Sequence, residues 1–160
     1  MELIMGYRMS EDAAISLVET ADIGGTSAST SYVSMEGFNN AIAYLEVGTF
    51  DSGDDIDTYK IQQATDSSGT SAKDLTTSAS GGNYDTDNPL DADGDFGIIE
   101  IKAENLDTAN GFTHIRATVA EAGNSGTDNV TMFLIRYNAK HKQEHKNGAA
   151  TTGSKFYYLS

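Results

Sequence analysis

The stretch DTYKIQQATDSSGTSAKDL, residues 57–75, combines an alternating segment, a polar turn and a second short extended segment. In the alternating segment Tyr59 and Ile61 share one face, and Lys60 and Gln62 share the other, which is the period of a β-strand. The Ser, Gly and Thr residues that follow favour a turn. The stretch therefore predicts a framework hairpin, and none of its residues suggests catalysis.

The same arrangement recurs along the whole chain, where short alternating segments are separated by polar loops. Eight segments read as strands: residues 13–18, 32–35, 41–47, 59–64, 97–103, 112–120, 130–137 and 155–159. Many short strands with turn residues between them are typical of an antiparallel sandwich, jelly-roll-like, or of a barrel. We expect an all-β fold, a single antiparallel β-sandwich that is jelly-roll-like, with an N-terminal arm and long polar loops.

The expected domain boundaries follow from the composition of the loops. A Gly/Ser/Thr-rich stretch at residues 24–31 predicts an N-terminal arm and linker over residues 1–30 and a sandwich domain over residues 31–160. A long polar connection follows at residues 76–96, and loops of that length are often functional.

The alternation also predicts which side chains share a face of a strand. Ala41, Ala43, Leu45 and Val47 lie on one face of their segment, opposite Ile42, Tyr44 and Glu46, and Ile99, Ile101 and Ala103 likewise share a face. The residues expected to point inward are Ile115, Ala117 and Val119. The segment VTMFLIRY, residues 130–137, is apolar on both faces, as a central or interface strand would be.

Charge excludes some classes of function. The 160 residues include 24 acidic and 10 basic ones, for a net charge of -14. A nucleic-acid partner is not expected, because phosphate contacts need clustered Lys and Arg. The charge is compatible with solubility, cation binding or docking onto a basic surface. No membrane association is expected, since the sequence starts without a long apolar segment and has no apolar run of roughly 20 residues.

A metal site is weakly indicated by Asp91, Asp93 and Asp95, which are spaced like the start of a calcium loop. The loop of an EF-hand has Gly at its sixth position and Glu at its twelfth, but with Asp91 as the first position these two places hold Phe96 and Lys102. We expect a solvated acidic loop and no cofactor. A looser calcium site that adds Asp85 and Asp87 is the alternative.

Catalytic patterns are weak. The acidic residues of loop 51–57 could serve a glycosidase, but that chemistry needs a sugar cleft and firmly placed carboxylates. His141 and His145 have the spacing of a zinc protease motif, but Lys142 stands where the motif has Glu, so residues 140–146 read as a basic surface loop. No nucleophile elbow or phosphate-binding loop is present. The chain is not expected to be an enzyme.

Four segments together resemble the head decoration (cement) proteins of tailed bacteriophages. They are YVSMEGFNNAIAYLEVG at residues 32–48, IQQATDSSGTSAKDL at 61–75, IIEIKAENLDTANGF at 98–112 and FLIRYNA at 133–139. The resemblance covers roughly residues 32–139 in the right order. The loop at residues 80–96 and the tail beyond Lys140 depart from the family pattern.

The resemblance implies a virion protein on the outer surface of the capsid, bound to the major capsid protein as a homotrimer that bridges neighbouring capsomers. Candidate trimer or capsid contacts are Met132, Leu134, Arg136, Phe156, Tyr157 and Tyr158, and ordinary core is the alternative role for the same side chains. A carbohydrate- or receptor-binding sandwich of a phage fibre or spike is the alternative function, and it would need an exposed aromatic platform.

Overall fold

Strands form where apolar and polar residues alternate, and loops form at the Gly, Asp, Ser and Thr clusters. The computed structural model describes residues 13–51, 55–75, 90–121 and 126–140, and nine strands and two 3₁₀ turns lie within these ranges. The strands are β1 Ala14–Asp22, β2 Ser27–Ser29, β3 Val33–Ser34, β4 Phe38–Val47, β5 Ile56–Ala64, β6 Lys73–Asp74, β7 Phe96–Lys102, β8 His114–Glu121 and β9 Asn129–Ala139. The 3₁₀ turns are Ala103–Asn105 and Thr108–Asn110.

The strands form two antiparallel sheets. The first sheet has the order β1-β9-β4-β7, and the second has the order β2-β8-β5-β6, with β3 also paired with β8. Because β2 and β3 pair with successive parts of β8, they act as one interrupted strand. The chain then passes between the sheets in the strand order of a jelly roll. The prediction of an all-β, jelly-roll-like sandwich is confirmed.

The core lies between the sheets, the inward face predicted for β8 is confirmed, and the four residues predicted to share a face of β4 form its inward face. Ala41, Ala43, Leu45, Val47, Ile115, Ala117 and Val119 are all buried. They meet the inward side chains of β5, β7 and β9 in one continuous cluster. This burial is the main source of stability, because each fully buried aliphatic side chain contributes roughly 1.5–3 kcal/mol.

The hairpin predicted at residues 57–75 is confirmed. Gln62 and Gln63 of β5 pair with Asp74 and Lys73 of β6. Asp66 fixes the turn, since its carboxylate accepts hydrogen bonds from the backbone N–H groups of Ser68 and Thr70 and from the Thr70 hydroxyl. These bonds from Thr70 lower the pKa of Asp66.

The domain boundary predicted at residue 30 differs from the structure. β1 pairs with β9 from Ala14–Arg136 to Asp22–Asn129, and β2 pairs with β8. β9 is a central strand, so the backbone groups along both of its edges need hydrogen-bond partners. β4 pairs with one edge, and β1 pairs with the other. Part of the expected arm and linker therefore belongs to the sandwich. The strand predicted at residues 155–159 lies outside the described residues. The described part of the chain contains no helix of the length and apolarity needed to cross a membrane.

The hairpin also gives a pH prediction. The hydrogen bond from Lys60 Nζ (2.9 Å) and then the one from Gln62 lower the pKa of Asp74. When folding lowers the pKa of a carboxyl group, the ionised group stabilises the folded state. This stabilisation is present above the unfolded-state pKa of about 3.9 and is lost as the pH falls through the folded-state pKa. We expect Asp74→Asn to be less stable than wild type by about 0.5 kcal/mol at pH 6. In urea unfolding between pH 6 and 2.5, this difference should shrink below pH 4; a constant difference would contradict the assignment.

Candidate functional site

The outward side of the first sheet is apolar. Register places Ile42 beside Ile135, Tyr44 beside both Phe133 and Ile98, and Ile15 beside Ile135. We define the apolar face as the seven outward side chains Ile15, Ile42, Tyr44, Phe96, Ile98, Phe133 and Ile135. They come from four strands that are distant in sequence, so the fold creates one continuous surface from separate segments.

An aromatic group lies at the middle of the apolar face. The Tyr44 ring stacks on Phe96 with centroids 5.8 Å apart and an interplanar angle of 21°. Its other neighbour is Phe133, also at 5.8 Å but tilted by 58°. Desolvation of the Tyr44 hydroxyl and then the nearby Glu46 carboxylate raise the pKa of Tyr44, and the hydroxyl donates to Glu46 Oε2 at 3.4 Å. The contacts hold the rings as a rigid platform.

Exposure distinguishes the apolar face from the rest of the described surface. Ile15, Phe96 and Ile98 are 62%, 59% and 54% exposed, and they are the exposed large hydrophobic residues among those described. All three lie on this one face. Scattered apolar residues on a surface are ordinary, whereas a contiguous group of them is a candidate binding surface.

The outward side of the second sheet is different, because it is polar and its side chains bond to one another. The Arg116 guanidinium donates to Gln62 Oε1 at 2.9 and 2.7 Å. Lys60 and Gln62 donate to Asp74, and the Ser29 hydroxyl donates to Thr118. The polar side chains of this face are hydrogen-bonded to one another and suit contact with water, so the two sides of the sandwich differ in chemical character.

Acidic residues border the apolar face. Glu46 and Glu100 are exposed and lie on the outward side of β4 and β7, next to Phe96 and Ile42 in the register. Lys102 is exposed on the same side of β7, so the two glutamates leave this border acidic on balance in a chain of net charge -14. A partner with an apolar centre and a basic border would match it.

Three of the contact candidates predicted from sequence are described, and two of them are core residues. Met132 and Leu134 are completely buried between the sheets, so they fill the core rather than contact a partner. Their neighbours Phe133 and Ile135 point outward instead, since side chains alternate along a strand. Arg136 is half-buried with its guanidinium 4.8 Å from the centroid of the Phe38 ring, and Nη1 donates to the Ser34 carbonyl. Phe156, Tyr157 and Tyr158 lie outside the described residues.

The weak metal candidates in the 91–95 loop bond to backbone groups. Asp95 Oδ2 accepts from the N–H groups of Asp91 and Ala92, and Asp93 Oδ1 accepts from the N–H of Phe50 at 3.0 Å. Within the described ranges, no group of three His, Cys, Asp or Glu side chains is disposed around one ion position. Asp95 therefore closes the 91–95 loop and Asp93 holds it against the end of β4, in both cases through hydrogen bonds to backbone N–H groups.

A cleft lies at the end of the sandwich where β4 begins and β9 ends. Its volume is about 330 Å³, and it is lined by the buried side chains of Met35, Leu106 and Phe112 and by the exposed Glu36 and Lys140. Lys140 is the first residue of the expected basic loop at residues 140–146, and the rest of that loop lies outside the described residues. The cleft combines both charge signs with a small apolar floor.

Part of the apolar face is visible in the amino-acid pattern. The two-sided apolar pattern of residues 130–137 was one of them, and the consecutive pair Ile98 and Ile99 was another. Sequence reasoning missed Ile15, Ile42, Phe96 and Ile98 because each belongs to a segment whose partner strands are far away in sequence. Comparison of the chain with protein family models, with curated proteins and with solved structures found no match.

Proposed function

We propose that this chain is a structural virion protein that binds the exterior of an assembled phage capsid through the apolar face. The observation that carries the proposal is the apolar face itself, which gathers the most exposed large hydrophobic side chains of the described chain on one sheet. The ordered resemblance of residues 32–139 to phage head decoration proteins supplies the identity of the partner, the major capsid protein.

Charge favours a partner protein over self-association through this face. Two copies that each carry a net charge of -14 and acidic borders would repel one another when these faces meet. A capsid surface with Lys and Arg around an apolar patch would instead attract Glu46 and Glu100. Homotrimer formation, which the resemblance also implies, would then use other parts of the chain.

Binding of this kind stabilises the shell by mass action. A protein that binds the assembled shell and bridges neighbouring capsomers shifts the equilibrium toward the assembled state. Because many copies act on one lattice, each contact can be modest and the collective effect large. This mechanism requires a rigid contact surface and no chemical step.

The alternative function is carbohydrate or receptor binding by a fibre or spike module. The stacked rings of Tyr44 and Phe96 favour it, since sugars stack on aromatic platforms. The rest of the face opposes it, because Ile15, Ile42 and Ile98 supply no hydrogen bonds for sugar hydroxyls. The jelly-roll fold is shared by viral and lectin domains and does not separate the two functions.

Copy number tests the proposal against this alternative. We expect hundreds of copies of the chain per particle when purified virions are separated on a denaturing gel and quantified by densitometry against the major capsid protein. A receptor-binding module would be present in only a few copies per particle. That result would reject the capsid-binding function and favour the alternative.

A further inference from the structure

Asp128 is a buried carboxylate with one oxygen left without a partner. The residue is completely buried just before β9. Its Oδ1 accepts the backbone N–H of Asp51 at 2.8 Å, and its own N–H donates to Asp22 Oδ1 at 3.1 Å. The second oxygen, Oδ2, is buried and has no hydrogen-bond partner among the described residues. A buried oxygen of this kind is unfavourable unless something else satisfies it.

A second carboxylate oxygen lies beside it, at a position that only glycine leaves open. A Cβ atom placed on Gly126 would lie 2.3 Å from Asp51 Oδ2 and 3.2 Å from Asp128 Oδ2. The two oxygens therefore border the same small space on one side of the Gly126 backbone. Asp51 Oδ2 also accepts the backbone N–H of Thr127 at 3.3 Å, whereas Asp128 Oδ2 has no such donor in the described part of the chain. A positive charge between the two carboxylates would relieve their mutual repulsion.

The described segments around these two oxygens add negative charge and contain no cationic side chain. Residues 22–26, 47–51, 90–95 and 126–128 meet at this end of the sandwich, as bonds from Ile23 to Asp128 and from Asn129 to Thr49 show. We call these segments the acidic end. They contain Asp22, Asp51, Asp91, Asp93, Asp95 and Asp128 and no Lys or Arg. The unpaired oxygen of Asp128 thus lies in a strongly negative region.

We propose that a Ca²⁺ ion binds between Asp51 and Asp128. Calcium takes oxygen ligands at about 2.3–2.6 Å in irregular arrangements, which suits two carboxylates from separate loops. The two side chains would share its coordination with backbone oxygens or water. Because so few charges contribute, the dissociation constant should be about 10⁻⁴–10⁻³ M, the range of extracellular calcium modules.

Bound calcium would hold the loop between β4 and β5, which connects the two sheets, against the start of β9. Asp51 lies between β4 of the first sheet and β5 of the second, and Asp128 lies at the start of β9. The hydrogen bond from Asp128 to Asp22 extends the connection to the end of β1. Since the ion would bind the folded chain only, it would raise the stability of the fold. This site is separate from the apolar face and does not depend on the proposed capsid contact.

The test compares calcium binding and thermal unfolding of the full chain with those of matched variants. For wild type we expect a saturable calorimetric titration with CaCl₂, and a melting temperature about 3–5 °C higher in 10 mM CaCl₂ than in EDTA at equal ionic strength. Asp128→Asn and Asp51→Asn should lose both effects. Asp91→Asn removes the same charge from the acidic end and should retain both, which separates a specific site from general screening.

Stability without calcium distinguishes this site from a merely structural role. In EDTA, Asp128→Asn should melt at the wild-type temperature or above it, because the variant removes an unpaired buried charge. A purely structural Asp128 would instead leave the variant less stable and the wild type unresponsive to calcium. Absence of saturable binding up to 10 mM CaCl₂, or equal responses of all three variants and wild type, would overturn the proposal. If Asp128→Asn does not fold, Asp51→Asn carries the same test, since Asp51 is exposed.

Discussion

Replacing Ile98 with aspartate is expected to weaken binding of the chain to assembled shells by at least about 100-fold, because a charge would be buried within an apolar contact. Ile98 is 54% exposed in the free chain and lies on the edge strand β7, so aspartate remains hydrated there before binding. The free energy of unfolding should therefore change by less than about 1 kcal/mol. Co-sedimentation of the purified chain with shells that lack it measures the affinity, and urea unfolding measures the stability.

The matched control for this substitution is Ser27→Asp. Ser27 is exposed on β2, in the opposite sheet, and the change adds the same negative charge. This variant should bind shells as wild type does. Equal binding by the Ile98 variant and wild type would show that the apolar face is not the contact surface, and equal losses in both variants would point to general charge repulsion instead.

Leu134→Ala is expected to do the opposite of Ile98→Asp, because it should destabilise the fold and leave shell binding intact. The expected loss in the free energy of unfolding is about 3–4 kcal/mol. Leu134 is completely buried on the central strand β9, and its removal would leave a cavity between the two sheets. Chemical denaturation should detect the change as a lower midpoint with an unchanged slope. At temperatures where the variant is folded, its affinity for shells should equal that of wild type.

Ile98→Ala is the partner of this experiment, because it also shortens an aliphatic side chain but does so on the apolar face. Its stability should lie within about 0.5 kcal/mol of wild type, while its shell affinity falls. Comparison of Leu134→Ala with Ile98→Ala therefore distinguishes a residue that stabilises the core from a residue that contacts the shell. If Leu134→Ala left stability unchanged and reduced binding, the placement of Leu134 in the core would be wrong.

The sequence predicted strand faces well where apolar and polar residues alternate. In β4, alternation placed Ala41 and Leu45 on one face and Tyr44 and Glu46 on the other, and the structure buries the face that carries Ala41 and Leu45. In β9, both sets of positions are apolar, so residues 130–137 alone could not decide whether Leu134 or Ile135 faces the core. The choice is made by β1 and β4, which pair on either side of β9 and fix the pleat.

The apolar face and the acidic end were beyond local sequence reasoning for a related reason. Tyr44 contacts Phe96 and Phe133 only after three strands from different parts of the chain have paired. Asp51 and Asp128 likewise meet only when the loop after β4 packs against the start of β9. β1 was misjudged as part of an arm and linker because its pairing partner, β9, lies at the other end of the described chain.

The central claim is that the apolar face attaches this protein to an assembled shell and stabilises it. The most direct measurement is the temperature at which shells lacking the protein rupture on heating, alone and after saturation with wild type, Ile98→Asp or Ser27→Asp. We expect wild type and Ser27→Asp to raise the rupture temperature by several degrees, and Ile98→Asp to leave it at the value of the bare shell. A rise that is the same for all three proteins, or no rise with wild type, would contradict the account.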